Sequence, residues 1–192
     1  MKKYLTQRII AAFGILSILS SCTINSPVSY KKLTEQEIDS TPDSLLLQLV
    51  FDNLLERIPK DFSKEFETVQ TWNNAQQAIY IIWSFEAEVN NGGFNQFYFN
   101  SSGQYYKLLP SALQLVGAKK FVDLSQRAND VFEKENAKIT EHQDGTLDGF
   151  SESYKNNPLN KFDDEFYALD EMENLEQLQV AFIRKNKLEF IK

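Results

Sequence analysis

Apolar residues in this chain recur every three or four positions, run after run, and almost nowhere alternate. Leu46, Leu49, Val50, Leu54 and Ile58 keep that spacing, as do Trp72, Ala75, Ile79, Ile82, Trp83 and Val89. Such a period lines up one face of an α-helix, whereas a half-buried strand would alternate at every second residue. The first run opens at Ser40-Thr41-Pro42-Asp43, where a hydroxyl can cap and proline fits the first turn, and it stops at Pro59. The second is expected over about 69–89. A third spans roughly 104–116, where Pro110 should kink or split it and Gly117 ends it. A fourth covers 119–135, with Phe121, Leu124, Ala128, Val131 and Phe132 on one side. The last follows Asn174 and carries Leu175, Leu178, Phe182 and Ile183. With no internal repeat and no hairpin flanked by alternating residues, the pattern predicts an all-α fold: one irregular helical-bundle domain.

Composition narrows the function. The 192 residues are 42% hydrophobic and 24% charged, which excludes wholesale disorder. One Cys and one His exclude an internal disulfide framework and any Cys/His zinc cluster; the expectation is no metal and no cofactor. A net charge of −7 argues against direct nucleic-acid binding by phosphate neutralisation.

The N-terminus reads as a secretory signal. Lys2, Lys3 and Arg8 form a basic segment ahead of the uncharged stretch Ile9 to Leu19, which is shorter than the ~20 apolar residues that span a bilayer. Leu19-Ser20-Ser21-Cys22 resembles the lipobox of bacterial lipoproteins. The resemblance implies cleavage before Cys22, diacylglycerol on its sulfur and a further acyl chain on the new amino terminus, a combination that anchors stably. The expected organisation is a signal peptide over 1–21, a lipidated tether over 22–40 and the helical domain over 41–192. Cleavage removes three positive charges and deepens the net charge to −10.

The run Glu88-Val89-Asn90-Asn91-Gly92-Gly93-Phe94-Asn95-Gln96-Phe97-Tyr98-Phe99-Asn100 interrupts the second helix. Asn91 and Gly92 can take positive φ and close it, and Gly93 permits a sharp turn. Phe94, Phe97 and Tyr98 then share a face that can pin the turn to the core. Asn95, Gln96 and Asn100 supply amides for loose backbone groups. One reading is a structural corner. The other is a polar pocket with Glu86 or Glu88 as acid/base, and Glu86, on the apolar stripe, invites a shifted pKa.

This same run resembles the signature of the DNA mimic protein nineteen-like domain family, through Glu88, Asn90, Asn91, Gly92, Gly93, Phe94, Gln96, Phe97 and Asn100. Gly117-Ala118 and Phe166-Tyr167 fit more loosely, and the likeness covers about 67–190. The resemblance implies an all-helical domain and a founding member that dimerises and binds a DNA-binding regulator, presenting carboxylates in place of phosphates. It supplies no catalytic residues. The lipobox sets this chain apart from that cytoplasmic protein.

Seven acids, Asp163, Asp164, Glu165, Asp170, Glu171, Glu173 and Glu176, follow one another with no intervening cation. The first six are the candidate contact surface for a protein with a basic face, and otherwise an acidic, solvated helix–loop. The segment from Asp144 to Glu152 spaces Asp144, Thr146, Asp148 and Glu152 like a calcium loop, but Lys155 stands where a bidentate Glu is needed. His142 lies in a polar connection, and no G-x-S-x-G occurs. The leading expectation is therefore a lipid-anchored, non-enzymatic binding module in the bacterial envelope. Its partners would be a basic protein surface, the membrane through the anchor, and a second copy if the family's dimer holds here. The alternative is an envelope hydrolase using carboxylates near the Glu86–Asn100 corner. A clickable fatty acid should label the wild type and spare Cys22→Ser; equal labelling of both would overturn the lipobox assignment.

Overall fold

The computed structural model describes residues 30–142 and 144–191, so Cys22 and the signal segment lie outside the described residues. Ten α-helices form one core, and the described residues contain no strand. They are α1 (Glu35–Ser40), α2 (Asp43–Leu55), α3 (Glu65–Gln70), α4 (Asn74–Phe99), α5 (Leu109–Val116), α6 (Lys119–Lys134), α7 (Asn136–Ile139), α8 (Leu147–Ser153), α9 (Lys161–Asp170) and α10 (Leu175–Lys185). No described helix is long and apolar enough to cross a membrane.

The long helix α4 is the axis of the bundle, and α2, α3, α5 and α9 all pack on it. Its stripe Ala75, Ala78, Ile79, Ile82, Phe85 and Val89 is almost wholly buried, as three- and four-residue spacing requires. Phe85 sits at the centre, edge-on to Phe94, Phe97 and Phe166 with ring centroids 5.1–5.6 Å apart. Edge-to-face pairs of this kind add about 0.5–1.5 kcal/mol each beyond area burial. Glu65 gathers the hydroxyls of Tyr80 and Tyr105, each at 3.1 Å, which ties α3 to α4. The chain's end is held by Asn73 and Gln76, whose amides donate to the Glu189 carbonyl at 2.9 and 2.7 Å.

Several boundaries differ from the sequence expectation. The packed domain begins before residue 41: Leu33 and Ile38 are buried, and Thr34 and Glu37 form a reciprocal capping box at the start of α1. Residues 33–40 thus belong to the domain, not to a tether. The Thr41 hydroxyl does not cap α2; it donates to the Glu37 carbonyl at 2.6 Å and closes α1. Arg184 of α10 clamps this junction, bonding the Ile38 and Thr41 carbonyls and the Asp43 carboxylate. The expected helix from 69 divides in two, because the Asn73 side chain accepts the Gln76 N–H and starts a new helix there. Pro110 does split the third segment: a 3₁₀ turn over Ser101–Tyr105 precedes α5, whose first turn holds the proline. Gly117, at φ +89°, ends α5 and turns the chain into α6.

Candidate functional site

The corner inside α4 is built from a break in its backbone. Gly92 has φ −158° and Gly93 has φ +71°, ψ −174°. The second pair of angles is open essentially to glycine alone. Gly93 is therefore the residue with positive φ, while Asn91 stays helical and Gly92 is non-helical at negative φ, contrary to the expected placement. The break frees the amide of Phe94 at the start of the following helical turn. Asp163 of α9 accepts that N–H at 2.8 Å, a helix cap supplied from 69 residues away. Burial pushes the Asp163 carboxyl above the usual carboxylate range; the Phe94 N–H opposes that and the Asp164 charge adds to it.

Polar side chains close the corner from both sides. Glu88 takes donors from Gln96 (2.6 Å), Asn100 (2.8 Å) and Ser102 (3.0 Å). The Asn91 amide donates to Gln96 Oε1 at 2.8 Å, and the Tyr154 hydroxyl donates to the Gly92 carbonyl at 2.8 Å. Asn95, buried, bonds Ser153 and Asn157 at 2.7 Å each and fixes α8 to α4. Phe94 and Phe97 are fully buried, and Tyr98 nearly so. Asn90 alone of the motif's polar residues is exposed without a hydrogen bond among the described residues.

Glu86 and Glu88 do not share one hydrogen-bond network. Glu88 is saturated by three donors inside the corner, while Glu86 points to α10, accepting the Gln179 amide at 2.6 Å. Around the corner itself, burial raises the Tyr154 hydroxyl most, and Asp163 and Glu88 both add to the rise. A shallow cleft of about 380 Å³ lies elsewhere, lined by Arg127, Asp130, Val131, Lys161, Phe162 and Glu165. The calcium-like segment is a helix start: Asp144 accepts the Thr146 N–H at 2.8 Å, and Thr146 caps α8 through the Gly149 N–H at 2.9 Å.

The six candidate contact acids divide into two groups. Asp163 caps the second part of α4, and Glu165 forms an ion pair with Arg127. Asp170 accepts the Leu175 N–H at 3.2 Å, and Glu173 accepts the Lys120 N–H at 2.9 Å, serving the start of α6. Asp164 and Glu171 are exposed and have no hydrogen bond or ion pair to a described residue. Tyr167 and Met172, 48% and 63% exposed, stand beside them. The Tyr167 hydroxyl donates to the Val89 carbonyl at 3.3 Å, which lays its ring near the corner. Sequence reasoning missed Tyr167 and Met172 as surface features, because an apolar residue within a helical period reads as core.

The chain matches the family described as DMP19-like protein over residues 70–186, well over half of its length. It belongs to that family. No curated protein matches the chain.

Two predictions follow from the corner's geometry. A Cβ at Gly93 would collide with the Asp163 carboxylate at a positive φ, and one at Gly92, at negative φ, would collide with Gln96 and the Tyr154 hydroxyl, which the corner's hydrogen bonds hold in place. Gly93→Ala should cost about 1–3 kcal/mol by denaturant titration. Gly92→Ala should cost less. Gly117→Ala, in the left-handed helical region with nothing within 4 Å, should also cost less; a Gly93→Ala cost no greater than that of Gly117→Ala would overturn the account of strain and collision at Gly93.

Glu86 supplies the pH dependence. Burial beside the fully buried Gln179 raises its carboxyl to about 8; the Gln179 amide opposes the rise, and Asp170 and Glu176 add to it. The folded chain therefore holds this proton between the model-compound value of 4.5 and about 8. Its stabilising contribution is complete below the unfolded pKa and is lost as pH rises through the folded one. Glu86→Gln should match wild type in melting temperature near pH 4.5 and exceed it above pH 8. Parallel melting curves across that range would show the carboxyl to be ionised throughout.

Proposed function

We propose that this protein is a lipid-anchored, non-enzymatic helical module that uses an acidic face to bind a protein with a basic surface in the bacterial envelope. The observation that carries the reading is the division among the acids of α9 and its C-terminal turn. Most of them serve the fold, yet Asp164 and Glu171 remain exposed, with no partner among the described residues, on one helical face with Tyr167 between them. Seven residues are two turns, so the two carboxylates lie nearly in line, about 10 Å apart along the axis. Such carboxylates around an aromatic and a methionine make a contact surface of the usual kind: apolar anchors inside a charged rim.

Family membership supports the reading through the binding mode the family is named for, in which carboxylates stand in for phosphates. Duplex DNA places one charge about every 1.7 Å of axis, much denser than two carboxylates two turns apart. The face is thus suited to a basic protein patch without reproducing a whole phosphate backbone. The signal segment and lipobox resemblance direct the partner to the envelope.

Charge reversal by Asp164→Lys with Glu171→Lys should abolish salt-sensitive capture of a partner crosslinked to the full-length protein in solubilised envelopes. Stability should stay within about 0.5 kcal/mol per substitution, because neither residue bonds the fold. Screening limits exposed charges to about 8 Å at physiological salt, so wild-type capture should also weaken at high salt. Equal capture by both proteins at low and high salt would overturn the reading. Capture of a second copy of the chain alone would identify the face as a dimer contact instead.

A further inference from the structure

The loop between α2 and α3 holds an aromatic side chain that the core leaves out. Phe62 is 52% exposed and has φ +55°, a conformation rare for a bulky residue. Its N–H donates to the Pro59 carbonyl at 2.9 Å, and the Glu65 N–H donates to the Phe62 carbonyl at 3.1 Å. Two successive turns therefore hold the residue at a tip. Asp61 is occupied by the Ser63 N–H and hydroxyl, at 3.2 and 3.0 Å. Lys60 and Lys64 stand two residues to either side of Phe62 in sequence, both exposed and in no ion pair among the described residues, with Glu56, Asp61 and Glu67 also exposed along the same stretch.

The entry point of the chain suggests what covers this tip. The Arg57 guanidinium lies over the Tyr30 ring at 4.5 Å, and the Asn53 amide donates to the Lys31 carbonyl at 2.5 Å. The N-terminal segment thus meets the domain at the C-terminal end of α2, where the Phe62 loop begins. Eight Cα–Cα steps lead from Cys22 to Tyr30 and span at most about 28 Å, and the five steps from Arg57 to Phe62 span at most about 18 Å. If Cys22 is the acylated residue, as the lipobox reading on which this inference rests requires, the loop lies within reach of the bilayer that holds the anchor.

We infer that Phe62, with Lys60 and Lys64, docks this end of the domain onto that lipid bilayer. The ring enters the boundary between headgroups and acyl chains, where aromatic side chains of surface-bound segments settle, and the two ammonium groups face lipid phosphates. The domain as a whole is acidic and gains nothing from an anionic membrane, so the contact is local to this loop. The tether makes the contact intramolecular, and a weak one suffices. Docking by Phe62 orients the domain on the membrane, which a tether alone does not do.

The packed core runs from Leu33 to Phe190, so a chain of residues 22–192 contains the whole fold. That chain, coupled through the Cys22 thiol to a maleimide lipid in phosphatidylcholine vesicles with or without phosphatidylglycerol, is anchored however cells treat Cys22. Natural acylation is read separately by the fatty-acid label, so the two ideas can fail independently. Phe62→Trp adds a reporter to the signal of Trp72 and Trp83. Its added emission should move to shorter wavelength on coupling and be quenched by doxyl-labelled lipid. Leu147→Trp, at a side chain 77% exposed on α8, should show neither effect. Lys60→Glu with Lys64→Glu should reduce the quenching, most in vesicles containing phosphatidylglycerol. A Phe62→Trp signal that stays water-like on coupled vesicles, or is quenched no more than that of Leu147→Trp, would overturn the docking.

Discussion

The hydrogen bond from the Phe94 N–H to Asp163 connects the two halves of the molecule. Gly93 turns the longest helix through a conformation closed to other residues, and the turn exposes an amide that needs an acceptor. The carboxylate of α9 supplies it at 2.8 Å. Because α9 must stand there to do so, Phe162 and Phe166 come to rest against Phe94 and Phe85. One backbone break, one borrowed cap and one aromatic cluster therefore depend on each other, which makes the corner's packing all-or-none.

The rest of the motif is a polar accounting around that break. Glu88 binds three donors, Gln96 links Asn91 to Glu88, and Tyr154 covers the Gly92 carbonyl. A run rich in amides and one acid looks from its composition like a ligand pocket. In three dimensions most of these groups bond neighbouring chain, and Asn90 alone faces solvent without a hydrogen bond among the described residues. The same economy explains Glu173 at the start of α6, where no local side chain caps the helix. Asp163 and Glu173 thus serve as helix caps supplied from distant parts of the chain.

A division among the acids gives the surface its character. Among the described residues Asp164 and Glu171 have no partner, whereas Asp163, Glu165, Asp170 and Glu173 are engaged by the fold. At the other end of α2, the same logic leaves Phe62 and two lysines outside a core already filled by Phe51, Leu54 and Ile58. The proposed partner surface and the proposed membrane contact are thus both made of what the packing did not consume.

Helical period, the split at Pro110, the stop at Gly117 and the burial of Phe94 and Phe97 were legible in the sequence, since each depends on residues within a turn or two of one another. So was the candidacy of Glu86 for a shifted pKa, because its place on the stripe follows from spacing alone. The start of the domain at Leu33, the short helices α3, α8 and α9, and the separation of Glu86 from Glu88 were not legible. The role of Asp163 is the plainest case: its partner lies 69 residues away, and in sequence it is one of seven similar acids. Local periodicity determined that the chain is helical and where its faces lie. Only tertiary structure decided which carboxylates cap, which pair and which stay free, because those choices are made by groups brought together across the bundle.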